Sequence, residues 1–135
     1  MEIERQNPEG LFEMDGFSQI VTTEKAGKVA YIAGQGAFDP GFKLIGEGDL
    51  HAQTVQAFRN LRIAVESLGG QAENIVSTTM YIVELTPEKV NIFAKAMAVA
   101  LDGKPFPPNA SSMIGVQGLA AKGMLVEISA VAVLP

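Results

Sequence analysis

The chain has 135 residues, 47% of them apolar and 19% charged, with a formal net charge of −5, and this predicts one domain spanning residues 1–135 with a real core. Ten basic residues are scattered among fifteen acidic ones and never form a run, so no surface is expected that neutralises nucleic-acid phosphates. The absence of cysteine and the single histidine, His51, exclude thiolate chemistry, disulfides and a multi-histidine metal centre; neither a metal nor a cofactor is expected.

Met1-Glu2-Ile3-Glu4-Arg5 lacks the apolar core of a secretory signal, and no apolar run has the length of a membrane span. The expected setting is the cytoplasm, with no membrane partner. Sparse charge combined with abundant Ala, Val, Ile and Gly predicts that part of the surface is covered by another copy of the chain.

In chain order, the segment up to Asp15 reads as irregular, broken by Asn7-Pro8 and Gly10. Phe17–Thr23 reads as a first strand and Val29–Ala33 as a second, stopped by Gly34-Gln35-Gly36. Asp39-Pro40-Gly41 marks a turn and Gly46 to Gly48 a loop. Asp49 is placed to cap a helix whose apolar stripe is Val55, Phe58, Leu61, Val65 and Leu68, with Gly69-Gly70 as its stop. Ile75–Val83 is rich in β-branched residues and reads as a strand. Thr86-Pro87-Glu88 starts a second helix that buries Val90, Phe93, Ala94, Met97 and Leu101. After the rigid Pro105–Pro108 connection, Ser111–Val116 and Met124–Val133 read as the last strands. The order β-β-α-β-α-β-β predicts an α+β fold, with two helices on one face of a mixed sheet.

Candidate chemistry is limited to a few positions. Ser111-Ser112 has no histidine or lysine base near it in sequence, so it reads as a structural hydroxyl pair and not as a nucleophile. Gly34-Gln35-Gly36 lacks the third glycine and following helix of a dinucleotide fingerprint; it reads as a turn that brings backbone close to a small ligand. His51 falls in the first turn of a helix, where solvent is the ordinary neighbour, and Met80, Met97, Met113 and Met124 fall at core-like positions.

Gly16-Phe17-Ser18-Gln19, Ala33-Gly34-Gln35, Gln53, Val76-Ser77-Thr78-Thr79, Phe106-Pro107-Pro108 and Val126-Glu127-Ile128-Ser129-Ala130-Val131-Ala132 occur in an order and spacing that resemble the Rid family, the YjgF-like reactive-intermediate deaminases. The resemblance covers nearly the whole chain. It implies a chorismate-mutase-like α+β fold and a homotrimer with a ligand cleft between neighbouring subunits. It also implies that Glu127 positions a hydrolytic water and that Gly34 and Gln35 line the ligand. Phe17, Ser111 and Met113 are then further ligand-binding candidates, with Ile114 beside Met113 on an apolar cleft floor.

In the deaminating branch of that family, an arginine in the local pattern Ala-Arg-Ser grips the substrate carboxylate. This chain reads Ala110-Ser111-Ser112, and its last arginine is Arg62. A guanidinium gives two charge-assisted bonds to a carboxylate where a hydroxyl gives one neutral bond, a difference of roughly 3–5 kcal/mol in a partly desolvated cleft. Phe17 stands where many relatives carry tyrosine. The resemblance therefore implies a small-molecule site, with hydrolysis of an imine or enamine C=N bond as the enzyme reading and 2-imino acids as poor substrates. Neutral, aromatic or amide-bearing ligands suit it better. The alternative reading is a metabolite- or protein-binding regulator without catalysis, and RNA cleavage is the weakest option because the chain is acidic and has one histidine.

Overall fold

Two capping side chains set the helices of the computed structural model, which describes residues 1–135. The Asp49 carboxylate accepts from the Ala52 amide at 3.0 Å and opens α1, Leu50–Glu66. The Thr86 hydroxyl accepts from the Lys89 amide at 3.2 Å, Pro87 takes the first helical position, and α2 runs over Pro87–Ala98. Beyond α1 the chain turns out through Gly69, whose φ of +82° suits glycine.

The strands are β1 (Glu2–Gln6), β2 (Ile20–Glu24), β3 (Lys28–Gln35), β4 (Ile75–Val83), β5 (Ala110–Val116) and β6 (Val126–Leu134). Four form one mixed sheet in the order β3-β6-β4-β5. β4 and β5 are parallel because α2 carries the chain back between them, and the other pairs are antiparallel. Strand alternation then separates two faces. Thr78, Met80 and Ile82 of β4 and Val126, Ile128, Ala130 and Ala132 of β6 are buried on one side. On that side the apolar members meet Phe58, Leu61 and Val65 of α1 and Phe93 and Met97 of α2. The Phe58 ring lies 4.5 Å from that of Phe106 and 5.6 Å from that of Phe93. The other side carries Ser77, Thr79, Tyr81, Glu127, Ser129 and Val131, all half-buried, and Tyr31, 83% exposed. No helix covers it.

Gln53 is fully buried in α1, donates to the carbonyls of Gly46 and Gly123, and accepts from the Leu125 amide at 2.9 Å. It fastens two loops to the helix and leads the chain into β6. Each of its bonds satisfies a backbone group that would otherwise lose water on folding.

Several sequence expectations need correction. The opening segment is not irregular throughout, because Glu2–Gln6 pairs antiparallel with β2 in a separate two-stranded ribbon. Only Ile3 in it is a large apolar residue, so no period-two pattern betrays it. Arg5 ties the ribbon down by donating to the carbonyls of Pro108 at 2.7 Å and Glu73 at 3.0 Å. The first predicted strand begins at Ile20 and not at Phe17, whose neighbourhood bridges Asn109 instead. Leu68 lies beyond α1 and is 40% exposed, and Val90 and Ala94 lie on the exposed side of α2. Leu101 follows α2 in a tight turn bridged to Lys104.

Candidate functional site

The predicted site residues divide into two groups. The first lies on β3 and β6. Between Ile32 and Gln35 the register with β6 slips by one residue, so Ala33 and Gly34 together face Ser129 in a bulge. Glu127 is the next residue on that face of β6, and its side chain folds onto the bulge. A Cβ placed on Gly34 would sit 2.6 Å from the Glu127 Oε2. Only a glycine leaves room for the carboxylate there. The strand continues through Gly34 and Gln35, so the expected turn is a bulged strand end; the Gln35 side chain is spent on the Ala33 carbonyl at 3.0 Å. Gly34 and Gln35 also border a groove of about 470 Å³ against α1. There Asn60 donates to the carbonyls of Gly36 and Phe38, both at 3.0 Å, and accepts from Gln56.

The second group lies at the other edge of the sheet. Phe17 runs beside Asn109, and the Ser18 amide donates to the Asn109 carbonyl at 3.1 Å. Asn109 is fully buried; its Oδ1 accepts from the Thr78 hydroxyl at 2.7 Å and its Nδ2 donates to the Pro107 carbonyl at 3.1 Å. This fixes the start of β5, on which Ser111 and Met113 pair with Thr78 and Met80 and share their helix-facing side. Phe17, Ser111 and Met113 line a largely apolar pocket of about 290 Å³, with Met80, Phe93 and Met97 also in its wall and the exposed Phe12 and Met14 at its open side. Phe17, Ser111 and Ser112 also border a polar cleft of about 320 Å³ with Ser77 and Thr79.

Ile114 does not accompany Met113 on the cavity floor, because alternation turns it to the opposite face, where it is 42% exposed. Nor do the two groups meet within one chain. Ser111 is level with Thr78 and Ala130, whereas Glu127 is level with Tyr81, three residues along and two strands across. Standard strand spacings put their Cα atoms roughly 14 Å apart, on opposite faces. Asn109, Phe12, Met14 and Phe93 escaped the sequence reading of the site: Asn109 behaves as an ordinary loop residue until its burial is known. A polar residue at the beginning of a strand beside a proline run is the only signal that could have flagged it.

Comparison with known proteins bears on the family and the fold. The family model described as Endoribonuclease L-PSP matches residues 11–134. A RutC family protein of Pyrococcus horikoshii is 32% identical over 116 residues, covering 86% of this chain and 85% of its own. A RutC family protein of Synechocystis is 36% identical over 109 residues, 78% of each chain. The crystal structure of YyfB, a Rid-family protein of unknown function from Yersinia pestis, superposes with a TM-score of 0.86 at 34% identity, covering 99% of this chain and 100% of that one. A matched family model over almost the whole length, relatives above 30% identity and a shared α+β fold lead to one assignment: the chain belongs to the Rid family, the YjgF-like proteins grouped under Endoribonuclease L-PSP.

Proposed function

We propose that the chain is one domain, residues 1–135, that assembles as a homotrimer and binds a small, carboxylate-free metabolite in clefts between neighbouring subunits, where Glu127 promotes hydrolysis of a C=N bond. The observation that carries this reading is the Glu127 carboxylate held against the bulge at Gly34. It is a half-buried acid on β6, beside the edge strand β3, next to backbone that a side chain would block.

The two half-sites lie at opposite edges of one sheet, Gly34 and Gln35 on β3 and Ser111 and Met113 on β5. A head-to-tail ring brings the β5 edge of one copy to the β3 edge of the next, and a ring that closes is a cyclic oligomer. Phe17, Ser111 and Met113 of one subunit then face Gly34, Gln35 and Glu127 of its neighbour.

A protonated imine is already electrophilic, so the site has to supply position and one acid–base group. Glu127 accepts a proton as water adds to the imine carbon. Glu127 then returns that proton to the carbinolamine nitrogen, the C–N bond breaks, and ammonia leaves as the hydroxyl proton passes to the freed Glu127 carboxylate and the C=O bond forms. No basic residue lines the cavity beside Ser111, so a substrate carboxylate would be buried without a partner.

Ammonia release from paired substrates tests this. A neutral imine is expected to turn over, and to stop doing so in Glu127→Gln, while 2-iminopropanoate stays near background. Rapid turnover of 2-iminopropanoate, lost in Glu127→Gln, would overturn the reading of Ser111. Binding of neutral compounds with no turnover of any imine would overturn the catalytic reading and leave a metabolite-binding protein.

A further inference from the structure

We propose that the cavity between α2 and the Phe12–Phe17 segment is a chamber for an uncharged or cationic aromatic ring system of about the size of indole. The chamber shares Phe17, Ser111 and Met113 with the cleft proposed above, and so rests on that reading and deepens it by naming the ligand class. Binding of the ring itself needs neither a second copy nor Glu127, so the two are tested apart.

Size is the first argument. A sealed apolar cavity of about 150 Å³ takes up benzene, and this pocket, open on one side, is about 290 Å³, room for a fused bicycle with one edge toward solvent. The lining is the second. Four of the six methionines, Met14, Met80, Met97 and Met113, border it, and thioethers adapt their shape and attract aromatic edges.

Charge is the third argument. Asp15 is the one charged residue at the chamber, and no basic residue borders it. An anionic ligand would meet repulsion and no counter-charge, whereas a ring N–H or ammonium group finds an acceptor. The mouth is the fourth. Phe12 is 66% exposed and Met14 56%, and the Phe12 ring stacks on Phe17 at 5.6 Å. Their segment is held by the Gln19 side chain donating to the Phe12 carbonyl and by Asn7 accepting from the Gln19 amide. A bound ring would bury these two exposed apolar side chains.

Fluorescence titration with indole is the direct test, because the chain contains no tryptophan and the emission belongs to the ligand. Saturable binding with a blue-shifted emission is expected, and indole-3-acetate should bind at least about tenfold more weakly. Ala94 borders the chamber from the exposed side of α2, so Ala94→Phe should fill it and weaken indole by at least about tenfold with the circular dichroism unchanged. If that variant does not fold, Val90→Phe, which also borders the chamber, carries the same expectation. No saturable shift, equal affinity for indole-3-acetate, or unchanged indole affinity in a folded filled variant would each overturn the proposal. Indole binding is read without turnover, so these failures leave the C=N reading standing, and a failure of imine turnover leaves indole binding standing.

Discussion

Gly34 and Glu127 are chemically dependent on each other. Because a Cβ at Gly34 would lie 2.6 Å from the carboxylate, Gly34→Ala must push Glu127 off the bulge. Gly34 has no positive φ, so the change introduces no left-handed strain. The expectation is a nearly unchanged melting temperature together with a loss of C=N hydrolysis close to that of Glu127→Gln; an active Gly34→Ala enzyme would show that the carboxylate acts from elsewhere. Ser111 allows the converse experiment. Ser111→Arg places a guanidinium at the chamber edge, where binding of pyruvate-like acids, measured calorimetrically, should tighten by about tenfold or more. Asp15 opposes part of that gain by competing for the new cation.

At the scale of elements, the start of β5 depends on one buried amide. Asn109 joins the Thr78 hydroxyl, the Pro107 carbonyl and, through its own carbonyl, the Ser18 amide. Asn109→Ala leaves the buried Thr78 hydroxyl without its partner, at an expected cost of about 1–3 kcal/mol in urea unfolding. Because Phe17 is carried on the same bridge, ligand affinity should fall with stability. A stability loss without any change in affinity would mean that Phe17 is positioned independently of β5.

What the sequence reveals follows from which forces are local. Asp49 and Thr86 announce the helices because capping is satisfied within one turn, and β4 declares itself by its β-branched residues, a preference carried by each residue alone. β1 stays hidden because its pairing with β2 is a long-range event with little apolar signature. Membership in the family pointed to Phe17, Gly34, Ser111 and Glu127, yet their division between two faces and two edges depends on register, and a bulge of one residue at Ala33–Gly34 leaves no mark on composition. The chamber is less legible still. Val90 and Ala94 fit a buried helical stripe by spacing, but they border an open cavity because the Phe12–Phe17 segment bridges over them without filling the space.

For the whole molecule, the uncovered face of the sheet is the feature that asks for a partner. Tyr31 is 83% exposed, Val29 50% and Ile114 42%. Around them Ser77, Thr79, Ser129 and Val131 border a shallow hollow of about 220 Å³ that Tyr31 also touches. Such a face mixes apolar contact with hydroxyls able to bond across a boundary, the composition of an interface more than of a free surface. If three copies close into the ring proposed above, this face is buried in each of them, and sedimentation should give three times the 14.3 kDa chain mass. Tyr31→Glu puts a carboxylate on the most exposed ring of that face, where desolvation without a partner opposes assembly. Tyr31 makes no contribution to the buried core, so the variant should fold and sediment as a monomer. It should also lose C=N hydrolysis, because Glu127 and Ser111 no longer share a cleft, while indole binding in the single-chain chamber persists. A monomeric variant that still hydrolyses imines would refute the shared cleft, and a wild-type chain sedimenting as a monomer would refute the ring itself.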